Sequence, residues 1–184
     1  MVQHAFWNKY RLGCDEHYLV HKLRQDKDYI PELSRIALID GKVIGCIMYS
    51  KASVIDGKEV NEIITFGPLC VDPKWQGCGV GELLLRETMD LAANQGHKGI
   101  IIFGEPDYYP RIGFKTCDNF NITTSDGKNF DAFMGIELVK GAMKDIKGKF
   151  YESEVFEHLA KEEVEKFNNR FPQLQKMRFP GQWD

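Results

Sequence analysis

The residues Gln76-Gly77-Cys78-Gly79-Val80-Gly81 put three glycines between an apolar run ending in Val71-Asp72-Pro73 and a segment of helical periodicity. Glycine lets backbone N–H groups come close to a bulky anion. The first turn of a helix adds unpaired N–H groups and the positive end of its dipole. The segment therefore reads as a pyrophosphate cradle between a strand and a helix. Two familiar cradles are excluded by spacing. A Walker A loop would close on Gly-Lys-Ser/Thr, which is absent. The dinucleotide fingerprint, started at Gly77, needs glycine where Glu82 stands, and no acidic residue about twenty positions on closes a second strand.

What does fit is Gln/Arg-x-x-Gly-x-Gly/Ala, as Gln76-x-x-Gly79-x-Gly81. This resembles motif A of the GCN5-related N-acetyltransferases (GNAT), whose loop holds the pyrophosphate of acetyl-CoA. The strand ending in Val71-x-Pro73 and the amphipathic helix after the turn strengthen the resemblance. So does Tyr109-x-x-x-Gly113-Phe114, which resembles the Tyr-x-x-x-Gly-Phe element of the same family. Within it the chain is similar to the YhbS-like branch over about residues 4–150. Ala5-Phe6-Trp7, Gly13–Tyr18, Ile47–Ser50, Phe66–Leu69 and Pro106–Arg111 carry that similarity.

The resemblance implies a mixed α/β GNAT fold, with a central mixed sheet splayed around the cofactor and helices at its flanks. It implies acetyl-CoA as cosubstrate, its pantetheine arm against the backbone of Leu69, Cys70 and Val71. The pyrophosphate would lie on the N–H groups of Gly77, Cys78, Gly79, Val80 and Gly81, with Gln76 bracing the loop. Tyr109 matches the tyrosine that protonates the departing thiolate, and a phenol pKa of ~10 keeps such a donor protonated at neutral pH. Tyr108 is expected in the core or against CoA. The general base is not readable. The position used by histone-type relatives holds Thr65, Glu62 is a weak candidate, and Glu16 and His17 could face the acceptor pocket but read first as helix-surface residues. The expected activity is direct transfer of an acetyl group to a primary amine, on a small molecule or a protein. A non-catalytic acyl-CoA-binding or regulatory module, or a transferase of longer acyl chains, is the alternative.

The elements that must position these residues follow from pattern. Arg35–Ile39 and Val43–Ser50 read as strands around an Asp40-Gly41 hairpin turn, and Asp56-Gly57 marks a second turn. Val60–Val71 is the long strand feeding the cradle. Gly67-Pro68 inside it predicts a bulge or splay, because proline cannot donate to a ladder. The helix is predicted from Val80 to Asn94, with Val80, Leu84, Thr88 and Leu91 in one row and Leu83 and Ala92 beside it. Gly99–Gly104 is short and wholly apolar, which suits a buried parallel strand. Asp131–Leu138 reads as a further strand, and a polar loop with one strand lies before it. Residues 5–27 read as mostly helical with a break near Gly13. Residues 153–170 read as a charged helix capped by Ser153, with an irregular tail beyond.

The bulk numbers bound the rest. A chain of 184 residues is expected to form one domain, residues 1–150 carrying the site and 151–184 a C-terminal helical extension of it. Net charge −3 gives no basic footprint for nucleic acid. No apolar run nears the ~20 residues of a membrane span, and the N-terminus lacks a secretory pattern. Five scattered cysteines, an odd number, point to reduced thiols and a cytoplasmic location. Cys14, His17 and His21 lack a fourth ligand, so packing is expected there and no metal. Family members carry a strand ahead of Ala5-Phe6-Trp7, and here there is no room for it. The edge at Arg35–Ile39 is therefore expected to meet a second copy of the chain, or the segment from Phe171 to Trp183.

Overall fold

Two tight turns fold residues 29–71 into an antiparallel meander of β1 (Tyr29–Ile39), β2 (Lys42–Asp56) and β3 (Glu59–Val71) in the computed structural model, which describes residues 1–182. The first turn has positive φ at both Asp40 (48°) and Gly41 (74°), the mirror-image geometry that matches strand twist. After β3 the chain crosses over through α3 (Val80–Asn94) to β4 (Gly99–Phe103), which lies parallel to β3. Later elements complete the mixed sheet: β5 (Lys115–Thr116), β6 (Ile122–Thr123), β7 (Phe133–Glu137) and β8 (Gly148–Glu152). The order is β5-β7-β4-β3-β2-β8-β6, with β1 also on β2.

Two features of this sheet make the site. The β3–β4 ladder is reduced to Ile64 opposite Ile100, after which the strands part. The other feature is a bulge at Gly67-Pro68. Tyr49 faces Phe66 and Ile47 faces Leu69, so two residues of β3 oppose the single Met48 of β2. An extra residue exchanges the faces of everything beyond it. Ile64 and Phe66 point into the core under α3, and beyond the bulge Leu69, not Cys70, packs on that side. Cys70 faces the N-terminal segment with Phe6, Cys14 and Cys46.

Helix α3 buries Leu84, Leu85, Thr88 and Ala92 on β1–β3. Leu84, Thr88 and Ala92 are buried as read from the sequence, but the stripe widens toward Leu85, which was not in the predicted row, and leaves the flanking Leu83 60% exposed. Buried Tyr49 and Thr88 share a hydrogen bond of 2.9 Å across this interface.

The opposite face is covered by shorter pieces than expected. In place of a mostly helical 5–27 stand two short helices, α1 (Val2–Phe6) and α2 (Glu16–Leu23). Between them Asn8 closes a loop on Gly13. Its N–H donates to the Gly13 carbonyl (2.8 Å), and its side-chain oxygen accepts from the Gly13 N–H (2.9 Å). Ser153 accepts from the Val155 N–H, but what it caps is a short 3-10 turn, Glu154–Phe156; the charged helix is only α4 (Lys161–Asn168). Strand β8 was not foreseen. It pairs with β2 along Ala52–Ile55, where β1 has already left, and straddles residue 150.

The tail does not cover the edge of β1. The Gln175 carbonyl accepts from Trp7 Nε1 and Asn8 Nδ2, both at 2.9 Å, and Gln182 Nε2 donates to the carbonyls of Asn8 and Arg11. These bonds hold residues 175–182 on the N-terminal loop, while Trp183 lies outside the described residues. Among the described residues the outer edge of β1 pairs with no strand, and Ile36 and Leu38 are 53% and 54% exposed. Among them, too, no helix is long and apolar enough to cross a membrane.

Candidate active site

The glycine loop sits where β3 ends. Asp72 accepts from the Lys74 N–H and starts a 3-10 turn, Pro73–Trp75. Gln76 then reaches back, its Nε2 donating to the Val71 carbonyl at 3.1 Å, so the loop is tied to the strand that feeds it. Gly77 and Gly79 have φ of 76° and 82°, a conformation costly for other residues, and a Cβ on either would meet nothing within 4 Å. The space beside them opens onto the first turn of α3. Gly81 looks across to the Tyr108 hydroxyl, 3.4 Å from where its Cβ would be. Cys78, between Gly77 and Gly79, is exposed and does not line the cavity at the loop.

Two cavities meet at this end of the sheet. One, of about 470 Å³, runs along Leu69, Cys70 and Val71 and past Gln76, Gly77, Gly79, Val80 and Gly81. The other, of about 730 Å³, lies beyond the bulge at Gly67-Pro68, between β3 and the end of β4. Phe6, Tyr10, Leu69, Glu105 and Tyr109 line both and form the wall between them.

Tyr109 is central to that wall. It opens the 3-10 turn Tyr109–Ile112 and stands among Tyr108, Phe114 and Phe66, with ring centroids 5.0, 5.4 and 5.9 Å away. Burial raises its pKa above the ordinary phenol value, and the neighbouring Tyr108 and Glu105 add to the effect. Its proton is therefore held throughout the neutral range. Tyr10 is hydrogen-bonded to Glu105, and its pKa is likewise raised, by burial first and then by that bond.

The positive charges belong to the first cavity, which Glu82 and Glu105 also line. Lys9 and Arg111 line the first, each laid against a phenol ring: Lys9 over Tyr10 at 4.7 Å, Arg111 over Tyr108 at 4.1 Å. Glu16 lines the second. Burial pushes the Glu16 carboxyl up to about 7, and Asp15 adds to this; hydrogen bonds from the backbone N–H groups of Glu16 and Asp15 and the Arg11 charge act the other way. Of the two readings of Glu16, helix surface or pocket, the second holds: as the first residue of α2 it lines the cavity. Glu62 is in neither cavity. It pairs with Ser53 and lines a separate depression with Lys51 and Glu152. Thr65 is buried. Cys14 Sγ lies 3.4 Å from His17 Nδ1, but His17 and His21 pack on Phe167 of α4. Among the described residues no group of three or more His, Cys, Asp or Glu is placed to hold a metal. All five cysteines are free, with Cys46 and Cys70 facing each other at 3.5 Å between sulfurs.

Comparison with known proteins gives the likeness. The model of the family described as "Acetyltransferase (GNAT) domain" matches residues 32–116, from β1 through the loop to β5. The chain is similar to GNAT acetyltransferases over this stretch and shares their fold. It is 33% identical over 99 residues to the uncharacterized N-acetyltransferase YjhQ of Escherichia coli K12, a match spanning 54% of this chain and 55% of that protein. It is 29% identical over 131 residues to the uncharacterized N-acetyltransferase YhbS of the same strain, spanning 71% and 76%. The chain thus spans about half the length of one curated relative and three quarters of the other. Its fold matches the E. coli YhbS crystal structure in complex with CoA, at TM-score 0.74 and 25% identity over 86% of each chain. It also matches a GNAT acetyltransferase from Brucella melitensis in complex with acetyl-CoA, at TM-score 0.65 and 25% identity over 84% of this chain and 86% of that one. The mixed sheet parted beyond Ile64 and Ile100 is the splayed GNAT sheet expected from the sequence.

Lys9, Tyr10 and Glu105 were not legible in the sequence as site residues. Their positions depend on the N-terminal loop and on the turn after β4 folding against β3, which no local spacing encodes. Arg111 did carry a signal, since it lies in the same short turn as Tyr109.

Proposed function

We propose that this protein transfers the acetyl group of acetyl-CoA to a primary amine by direct attack on the thioester. One observation carries the reading: a cavity bordered by the glycine loop meets a second cavity at Tyr109. The first supplies what a CoA ester needs. Glycine N–H groups and the α3 terminus face the pyrophosphate, Lys9 and Arg111 add positive charge, and the backbone of Leu69, Cys70 and Val71 is open to the pantetheine amides. The second cavity receives the amine.

In the reaction the amine nitrogen attacks the carbonyl carbon, the C–N bond forms and the C–S bond breaks. Tyr109 donates its proton to the leaving thiolate. Because the raised phenol pKa opposes complete transfer before charge has built up on sulfur, the donation belongs to the late part of bond breaking. The relatives YhbS and the Brucella protein, crystallised with CoA and acetyl-CoA, support the donor assignment. A thiol-release assay of acetyl-CoA against a panel of amines, with calorimetry of CoA binding beside it, tests the reading. CoA binding without turnover of any amine would return the protein to the binding-module alternative. A cytoplasmic location and a homodimer formed through the open edge of β1 belong to the same proposal.

A further inference from the structure

We infer that the acceptor is a small aromatic or apolar primary amine with one positive charge and no carboxylate, and that Glu16 receives the proton its nitrogen loses. This rests on the acetyl-transfer reading above. The second cavity has the size of sites for drug-sized ligands, at about 730 Å³. No lysine or arginine lines it, and its charged side chains are the two carboxylates Glu16 and Glu105. Its far wall is aromatic. Phe103 and Phe130 stack at 6.0 Å, yet remain 49% and 47% exposed, so the chain itself leaves this apolar surface open to the cavity.

These features select by exclusion as well as by fit. An ammonium head is stabilised between two carboxylates and aromatic rings. A carboxylate on the acceptor meets like charge. A polyamine brings a second ammonium and no apolar body to cover Phe103 and Phe130, so it forgoes the apolar burial this wall offers. Gly181 of the tail bounds the cavity, which limits the length of the body it holds.

The proton balance follows. The acceptor binds as an ammonium against Glu16 and loses one proton to solvent through that carboxylate. The neutral nitrogen attacks, and its second proton passes to Glu16 as the C–N bond forms. The thiolate leaves with the Tyr109 proton, and the proton held by Glu16 returns through solvent to the phenolate, so both residues are reset. The groups facing Glu16 are Asp15 and Arg11 on its own segment, Cys14 beside it, and Tyr10 with Glu105 on the shared wall. Its carboxyl titrates near 7, where it serves as a better base than an ordinary carboxylate.

The test is steady-state thiol release by the full chain with acetyl-CoA and four acceptors: phenethylamine, phenylalanine, spermidine and a lysine tripeptide blocked at its N-terminus. Phenethylamine is expected to exceed each of the others at least roughly hundredfold in kcat/KM. Glu16→Gln is expected to lower kcat about a hundredfold and remove the limb of the pH profile near 7, while Glu16→Asp retains that limb. Circular dichroism confirms that both variants fold. Preference for any other acceptor, no turnover of phenethylamine, or a limb that survives in Glu16→Gln overturns the inference. Calorimetry on the same samples separates the two levels: with CoA bound, only the acceptor assignment fails, whereas a parent protein that binds no CoA brings down the transfer reading as well.

Discussion

A Cβ placed on Gly104 would lie 2.4 Å from Cε2 of Tyr109 and 2.5 Å from Cδ2, so the phenol stands on the cavity wall because residue 104 has no side chain. Gly104→Ala must move the ring or the end of β4. Turnover is expected to fall at least tenfold, with a stability loss of about 1–3 kcal/mol. Kinetics and thermal melts read both, and a variant with parental kcat would show that the ring position is not required.

Tyr109→Phe removes the hydroxyl and keeps the packing against Phe66 and Phe114. Turnover is expected to drop roughly ten- to a thousandfold, within or just below the range of positioned acids. CoA affinity should stay within a few fold. Near-parental turnover would mean that water protonates the thiolate.

Gly79→Asp places a side chain and a negative charge in open space beside the first turn of α3, at a φ of 82°. Loss of CoA binding in calorimetry is expected, with a stability cost of about 1–2 kcal/mol from the left-handed backbone. Undiminished affinity in the folded variant would remove the loop from the donor site.

Glu152 offers a pH test away from the site. Burial, helped by Glu157, pushes its carboxyl up to about 7. An unfolded glutamate titrates near ~4.3. Between these values the folded chain binds more protons than the unfolded one, so this contribution is complete at low pH and is lost as pH rises toward 7. Glu152→Gln should therefore gain at most roughly 3–4 kcal/mol over the parent at pH 8 and nothing at pH 4. Denaturant melts at both values check the difference; the same gain at pH 4 would point to packing.

Leu38→Lys tests the open edge of β1, where Leu38 is 54% exposed. If two copies join through that edge, light scattering should show a dimer in the parent and a monomer in the variant. A monomeric parent excludes this association.

What the sequence disclosed, and what it withheld, divides along physical lines. Helix α3 was legible to its end residues, because glycines bound it and one apolar stripe runs along it. The bulge was legible because Gly67-Pro68 cannot continue a ladder. Strand β8 was hidden: its pairing with Ala52–Ile55 depends on β1 leaving β2 there, a fact of the distant chain. The N-terminal helix was overextended because apolar spacing does not report the Asn8–Gly13 loop. Glu16 illustrates the same limit at the site. Its residue type was plain, but whether a helix's first residue meets solvent or a cavity is settled by what packs opposite.

The hydrogen bonds from Trp7 and Asn8 to Gln175, and from Gln182 to Asn8 and Arg11, have a consequence for how specificity can change. The cavity at the glycine loop takes backbone walls from the end of β3 and the start of α3. The second cavity borrows Phe6, Tyr10, Glu16, Leu19 and Gly181 from two segments laced to each other, and it shares Phe6 and Tyr10 with the first. A substitution at Leu19 or Gly181 therefore reshapes the second cavity alone, whereas one at Phe6 or Tyr10 alters both. The N-terminal loop is thus a shared wall, and variants there trade one cavity against the other.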